Sequence, residues 1–135
     1  MDIVVGDIDG APMILKNHGV DGRHWVGFEL AGTRSNRLAI GARVKVIAGG
    51  MTQTDEIHSG GSYLSQNDLR LHFGLGVSTR IDRVELFWPS GKTDTLTNLA
   101  ADQFYSVLEG SGIVPAVRTR PASAATGKPA SGRAL

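Results

Sequence analysis

The chain has 135 residues, of which 41% are hydrophobic and 20% are charged, proportions typical of one globular domain with short additional segments. It contains no cysteine, which excludes a disulfide framework and any thiolate metal site. No apolar run reaches the roughly 20 residues of a membrane-spanning helix, and the first five residues lack the basic and apolar regions of a signal peptide.

Charge divides the chain into two unlike segments. Residues 1–115 hold ten Lys and Arg against thirteen Asp and Glu, whereas residues 116–135 hold four basic residues and no acidic one. A slightly acidic body lacks the basic stripe of nucleic-acid-binding domains, so we expect no nucleic-acid partner and no membrane span. Residues 115–135 are mostly Pro, Ala, Ser, Thr and Gly, which bury too little apolar surface to fold. We therefore predict a disordered basic tail over 115–135.

Alternation of apolar and polar residues predicts short β-strands along the body rather than helices. The predicted strands cover residues 24–30, 42–48, 51–58, 69–73, 82–88, 92–97 and 103–108. Gly49-Gly50 separates the second strand from the third, whose weaker alternation is typical of an edge strand. Six or seven such strands predict an all-β fold, namely a small antiparallel β-sandwich or a partly open barrel.

Two glycine-containing segments are interpreted as turns. In Trp88-Pro89-Ser90-Gly91, Pro at the second position presets φ and Gly at the fourth suits a type I turn. This turn joins the strands over 82–88 and 92–97 into a hairpin. Gly74-Leu75-Gly76 lacks the third glycine of a dinucleotide-binding motif, so its glycines are also assigned to a turn.

Catalytic and metal-binding patterns are scarce. The chain has no Gly-x-Ser-x-Gly elbow, no His-Glu-x-x-His motif and no phosphate-binding loop. The four histidines match no zinc spacing, and His72 falls on the polar face of its strand, where solvent exposure explains it. Asp7-Ile8-Asp9-Gly10 offers fewer oxygen donors than a calcium loop needs and is interpreted as a turn. We expect no enzyme activity, no catalytic residue, no cofactor and no metal held by this chain.

Four sequence blocks occur in order along the body. They are Leu30-Ala31-Gly32 with Ser35-Asn36-Arg37 and residues 40–44, then residues 60–68, then Leu71-His72-Phe73-Gly74-Leu75-Gly76, and finally residues 84–92. Together they resemble the ASPIC/UnbV domain, a module shared by cartilage acidic protein and many secreted bacterial proteins. The resemblance covers residues 30 to 110 and implies an extracellular accessory or recognition module without established catalytic residues.

In that family the domain follows FG-GAP/VCBS repeats, which build a calcium-binding β-propeller. Residues 1–17 resemble the end of such a repeat, and Asp2 would then be the last carboxylate of a calcium loop. The resemblance divides the chain into a propeller-blade remnant over 1–22, an ASPIC/UnbV-like β domain over 23–114 and the tail over 115–135. It implies the carboxyl-terminal part of a longer secreted, periplasmic or cell-surface protein, in which Ca²⁺ binds only together with the upstream propeller.

The loop over 62–68 is the candidate partner-binding loop. Its candidate side chains are Tyr63, Ser65, Gln66, Asn67 and Asp68. Loops at the ends of β-sandwiches commonly present such groups to partners. The alternative interpretation is an ordered turn held by its own Ser, Asn and Asp side chains, with Tyr63 packed inward.

Two functional hypotheses follow. The leading one is a non-enzymatic accessory or recognition domain that packs on or extends a β-propeller and mediates protein interaction. The alternative is a carbohydrate-binding module of a secreted protein, which requires an exposed aromatic platform. The expected partners are the upstream propeller of the same protein or an extracellular protein or glycan.

Overall fold

The computed structural model describes residues 2–7, 9–61 and 63–115. Within these ranges the chain forms ten strands. They are β1 (Ile3–Val5), β2 (Met13–Leu15), β3 (His24–Ala31), β4 (Arg43–Ala48), β5 (Met51–Glu56), β6 (Leu71–Gly76), β7 (Arg80–Phe87), β8 (Thr93–Ala100), β9 (Gln103–Leu108) and β10 (Gly112–Val114). In the described part of the chain, no helix is long and apolar enough to cross a bilayer. Apart from Pro115, the predicted tail lies outside the described residues.

Eight of the strands form two four-stranded sheets around one hydrophobic core. The first sheet has the order β10-β9-β3-β6 and the second has the order β5-β4-β7-β8. Phe28 and Leu75 from the first sheet share the core with Val46 and Leu86 from the second. Because the two sheets have no strand in common, the fold is a sandwich rather than a partly open barrel. The prediction of an all-β sandwich is confirmed.

Alternating side chains explain why these segments are strands with one face toward the core. In β4, Val44, Val46 and Ala48 are buried, while Arg43 is exposed and Lys45 is half-buried. Since successive strand residues point to opposite faces, this pattern buries one face and leaves the other at the surface. β5 lies at the edge of its sheet, as its weaker alternation predicted.

The turn between β7 and β8 also agrees with the sequence. The N–H of Gly91 donates to the carbonyl of Trp88 at 2.9 Å, and Gly91 has φ 85°, a backbone conformation that favours glycine. Trp88 itself is buried, and its indole Nε1 donates to Asp94 Oδ2 at 2.8 Å.

The turn assigned to Gly74-Leu75-Gly76 is wrong. These residues form the second half of β6, because Leu75 continues the inward series of Leu71 and Phe73 and is buried in the core. Gly76 ends the strand with φ 60°. The alternation therefore extends beyond the predicted end at residue 73.

One strand pair differs from the antiparallel arrangement that the sequence predicted. β3 and β9 are parallel, with Val26 paired to Gln103 and Ala31 paired to Leu108. Parallel neighbours cannot be joined by a hairpin and need a longer crossover connection, and here β4 to β8 lie between β3 and β9 in the chain. The beginning and the end of the sandwich thereby lie side by side in one sheet.

β1 and β2 form a separate two-stranded antiparallel sheet, in which Val4 pairs with Ile14. All six residues of the two strands are exposed. The Oδ1 of Asp2 accepts a hydrogen bond from the N–H of Asn17 at 2.9 Å, which ties the two ends of this hairpin together.

Candidate functional site

Glu109 lies directly after β9 and is 3% exposed. Its Oε2 accepts hydrogen bonds from the backbone N–H groups of Thr33, Arg34 and Ser35, each at 2.8 Å. Its Oε1 accepts from the hydroxyl of Ser35 at 3.0 Å and from the hydroxyl of Ser90. We call this group, residues 33–35 with Ser90 and Glu109, the Glu109 cluster. A buried carboxylate with this many donors has replaced the hydrogen bonds that it lost from water.

The ionisation of Glu109 follows from these contacts. Burial by itself would raise the pKa of the carboxyl group. Hydrogen bonds from the Ser35 backbone and the Ser90 hydroxyl, reinforced by the backbone of residues 33 and 34, outweigh burial and hold the pKa of Glu109 well below its usual range. A carboxylate that stays ionised and whose two oxygens are both engaged is poorly suited to general acid–base catalysis. It serves instead to hold three segments together.

Two of the four sequence blocks that carry the family resemblance meet at this cluster, namely the block that contains Ser35 and the block over residues 84–92. Ser35 begins the Ser35-Asn36-Arg37 block, and its hydroxyl also accepts a hydrogen bond from the N–H of Ser90 at 3.1 Å. The side chain of Asn36 bonds the backbone of Ile40 twice, at 2.8 and 2.9 Å. These contacts give the blocks a structural role, because they fix the loop after β3 against the turn after β7.

The candidate partner-binding loop places its aromatic residue in solvent. Tyr63 is 82% exposed and the neighbouring Leu64 is 90% exposed. The interpretation in which Tyr63 packs inward is therefore wrong. Leu64 also has φ 49°, a left-handed conformation that is uncommon for residues other than glycine.

Two polar side chains of this loop, Gln66 and Asp68, are hydrogen-bonded to neighbouring residues. Gln66 accepts a hydrogen bond from the N–H of Gly60 at 3.2 Å and donates one to the carbonyl of Asn67 at 2.9 Å. Asp68 accepts hydrogen bonds from the guanidinium of Arg70, and these bonds hold the pKa of Asp68 below its usual value. Ser65 and Asn67 are exposed. The loop thus combines internal polar contacts with an outward-facing Tyr63.

Three rings lie together on the outer face of the first sheet. Trp25, His72 and Phe104 form this aromatic patch, in which the Phe104 ring centroid lies 5.1 Å from each of the other two. The guanidinium carbon of Arg70 lies 4.8 Å from the Phe104 ring centroid. Below the ring is Gly27, where a Cβ atom would overlap Phe104. His72 is on the outer face as predicted, but it is half-buried beside the other two rings rather than surrounded by solvent.

Alternation in β3 contained a signal for this patch. Trp25, Gly27 and Glu29 occupy the positions between the buried Val26, Phe28 and Leu30. A strand with apolar residues inward at every second position predicts that Trp25 points outward. By contrast, no sequence pattern near Glu109 predicts its hydrogen-bond donors, which lie at least 19 residues away along the chain.

No catalytic or metal-binding arrangement emerges from the remaining polar groups of the described residues. Within those residues, no group of three or more potential ligands is arranged to hold a metal ion. Asp7 accepts a hydrogen bond from the N–H of Asp9 at 3.3 Å, in agreement with the turn interpretation. His24 Nδ1 lies 2.6 Å from Asp102 Oδ2, and among the described residues no serine or threonine hydroxyl is hydrogen-bonded to His24.

Comparison with known proteins agrees with this organisation. No curated protein matches the sequence. The model of the family described as ASPIC and UnbV matches residues 32–114, a range that includes every residue of the Glu109 cluster and most of the sandwich. On this match, the chain belongs to the ASPIC and UnbV family.

Proposed function

We propose that this chain is a non-enzymatic accessory domain that packs on, or extends, a β-propeller of the FG-GAP/VCBS type. The β1–β2 hairpin is the element that makes the contact. The observation that carries the proposal is the composition and exposure of its two strands. All six residues are large and apolar, and their exposed fractions range from 45% at Val5 to 68% at Val4 and Ile14.

The apolar residues of both strands favour a setting in which another protein surface covers this sheet. Successive strand residues point to opposite faces, so the hairpin has apolar side chains on both faces. Strands of that kind are typical of sheets enclosed on both sides. An isolated two-stranded hairpin is only marginally stable in water, and an exposed apolar patch commonly marks an interaction site. Each strand also has one unpaired edge, to which a further strand can add.

The proposal extends to the setting of the domain. A secreted, periplasmic or cell-surface protein would supply the partner, either as an upstream propeller of the same protein or as another extracellular protein. The support is the resemblance of residues 1–17 to the end of an FG-GAP/VCBS repeat, together with the exposed hairpin. The outward-facing Tyr63 is a second contact point for an extracellular partner.

Hydrogen exchange tests the proposal. The reading frame upstream of Met1 is expected to encode Asp-x-Asp-x-Asp-Gly repeats. The N–H groups of β1 and β2 should exchange rapidly in the 135-residue chain and slowly in a longer protein that contains those repeats. The strands of the sandwich should exchange equally in both proteins, because their hydrogen bonds do not depend on the propeller.

A matched pair of variants makes the test specific. Changing Val4 and Ile14 together to Thr keeps β-branched side chains but removes apolar surface, and it should abolish the added protection of the hairpin. Val77→Thr changes an exposed apolar residue between β6 and β7 and should have no effect. Rapid exchange of the hairpin in the longer protein, or an upstream frame without any β-repeat, would overturn the proposal.

A further inference from the structure

A cleft of about 860 Å³ lies between the aromatic patch and the segment formed by residues 17–20. Its floor includes Gly74, on the outer face of β6 beside Trp25. A Cβ atom at Gly74 would meet no other atom within 4 Å, so the space above this position is open. Trp25 is 37% exposed and Phe104 is 42% exposed. The cleft therefore combines an unobstructed floor with aromatic side walls.

Contacts within the protein hold the aromatic wall in place. Phe104 packs directly on Gly27 and lies next to the guanidinium of Arg70. Trp25 meets the Phe104 ring at an interplanar angle of 63°, a favourable edge-to-face arrangement. Rigid rings lose little conformational freedom when they bind, so less of the interaction energy is spent on ordering them.

Imidazoles, guanidinium groups and the amide of Asn17 are the polar side chains that line the cleft. Three of the four histidines of the chain, His18, His24 and His72, line it together with Arg23 and Arg70. Among the described residues, no carboxylate lines the cleft. This is notable in a body with more acidic than basic residues, and it makes the cleft complementary to a negatively charged ligand.

Arg23 is the charge available to such a ligand. Arg70 is already paired with Asp68, and His24 is paired with Asp102. Within the described part of the chain, Arg23 has no carboxylate within ion-pair distance. A guanidinium matches the geometry of a carboxylate with two parallel N–H donors, so an anion that enters the cleft finds a complementary group at Arg23.

We propose that this cleft binds an acidic sugar, a hexuronate residue of a polysaccharide. One face of a pyranose ring presents C–H groups, whose partial positive charge suits the negative face of an aromatic ring, and Trp25 offers that surface. The sugar carboxylate pairs with Arg23, and its hydroxyls accept hydrogen bonds from the imidazoles and Arg70. A neutral sugar would leave Arg23 without a partner, and a simple organic acid would leave the rings uncovered. The site is separate from Tyr63 and from β1 and β2.

Calorimetric titration of the full chain with three probes tests both the contact with the sugar ring and the contact with the carboxylate. A short galacturonate oligomer supplies the ring and the charge, its methyl ester keeps the ring without the charge, and polyglutamate keeps the charge without the ring. We expect the galacturonate oligomer to bind at least about tenfold more tightly than either control, the difference expected from one charge-assisted hydrogen-bonded contact.

Variants locate the site. Gly74→Val fills the open floor of an edge strand with a residue that favours strands, and it should abolish galacturonate binding while leaving the melting temperature unchanged. Arg23→Gln should weaken galacturonate binding about tenfold or more and should reduce the preference over the methyl ester. Tyr63→Ala and Arg83→Gln are the matched controls, since they alter an exposed aromatic and an exposed arginine outside the cleft, and they should bind as the unchanged chain does.

Each contrary result overturns the proposal. Undetectable galacturonate binding would do so directly, and equal binding of polyglutamate would reveal a non-specific attraction between charges. Binding that survives Gly74→Val in a folded protein, or that disappears in Tyr63→Ala, would place the ligand elsewhere. Failure of the sugar-binding proposal would not affect the proposed propeller contact, because that contact is tested separately by hydrogen exchange in β1 and β2.

Discussion

Among the described residues, Glu109 is the one charged side chain that the sandwich buries. Its burial resembles that of a catalytic acid, but its hydrogen bonds give it a structural role. The donors around it come from the loop after β3 and from the turn after β7. Removing the charge would leave several N–H groups directed at a weaker acceptor, and a buried donor without a good partner is costly.

Glu109→Gln should lower the melting temperature at neutral pH. It should also make the melting temperature depend less on pH in the acidic range. The folded-state pKa of Glu109 lies below the unfolded value of about 4.3. Its contribution to stability is therefore complete above that unfolded value and is lost as the pH falls. We expect the difference between the unchanged chain and the variant to shrink between about pH 6 and about pH 3, as measured by thermal melting.

Asp68 and Asp102 also have lowered pKa values, through Arg70 and His24, but they are present in both proteins and cancel in the comparison. Asp21→Asn, at an exposed position, is the control and should change stability by less than about 0.5 kcal/mol. A constant difference across this pH range would contradict the structural role assigned to the Glu109 charge.

At the level of the elements, the loop between β3 and β4 is tightly constrained by its own backbone. It begins at Gly32, whose N–H donates to the carbonyl of Arg37 at 3.3 Å. The loop turns so tightly that a Cβ atom at Gly32 would overlap the backbone carbonyl oxygen of Asn36. Backbone cannot rotate out of the way as a side chain can, so this close approach requires glycine.

Gly32→Ala should therefore destabilise the domain by about 1–3 kcal/mol, the usual cost of forcing extra atoms into a packed site. Chemical denaturation with an unchanged slope would measure it. Gly61→Ala is the matched control in the other long loop, where the nearest atom, Asn67 Nδ2, would lie 3.6 Å away. Equal effects of the two substitutions would show that the loop after β3 has room to adjust.

At the level of the whole molecule, the sandwich is closed by the parallel pair of β3 and β9, while the β1–β2 hairpin stands apart. The core is formed by β3, β4, β6, β7, β8 and β9 and the adjoining loops. None of the residues of β1 and β2 belongs to it. Stability of the sandwich should therefore depend little on the hairpin, even though the proposed propeller contact depends on it.

A chain that starts at Gly22 tests this independence. Because the hairpin buries little apolar surface against the sandwich, its loss should move the melting temperature by less than about 4 °C, which corresponds to roughly 1 kcal/mol for a domain of this size. Solubility should be equal or better, since six exposed apolar residues are removed. Unfolding of the shorter chain would instead place residues 1–21 within the folding unit of the sandwich.

Local patterns in the sequence were sufficient to predict β3 to β9, most of their inward faces and the turn at residues 88–91, but they missed β10 and the second half of β6. Val44, Val46 and Ala48 alternate with charged or larger outward residues, and this period of two depends only on neighbouring residues. The family resemblance was likewise visible in the order of four blocks. The structural role of those blocks could not be predicted, because hydrogen bonds between segments that are distant in the chain leave no pattern among neighbouring residues.

Only the tertiary structure decided which strands are neighbours and which side chains meet. The crossing that places β9 beside β3 brings Phe104 over Gly27 and next to Trp25, and it thereby creates the aromatic patch and the cleft. The same crossing brings Glu109 to the N–H groups of residues 33–35, 74 to 76 positions away. The alternation of apolar and polar residues predicts which face of the sheet a side chain occupies. Which other side chains it contacts on that face depends on how the whole chain packs.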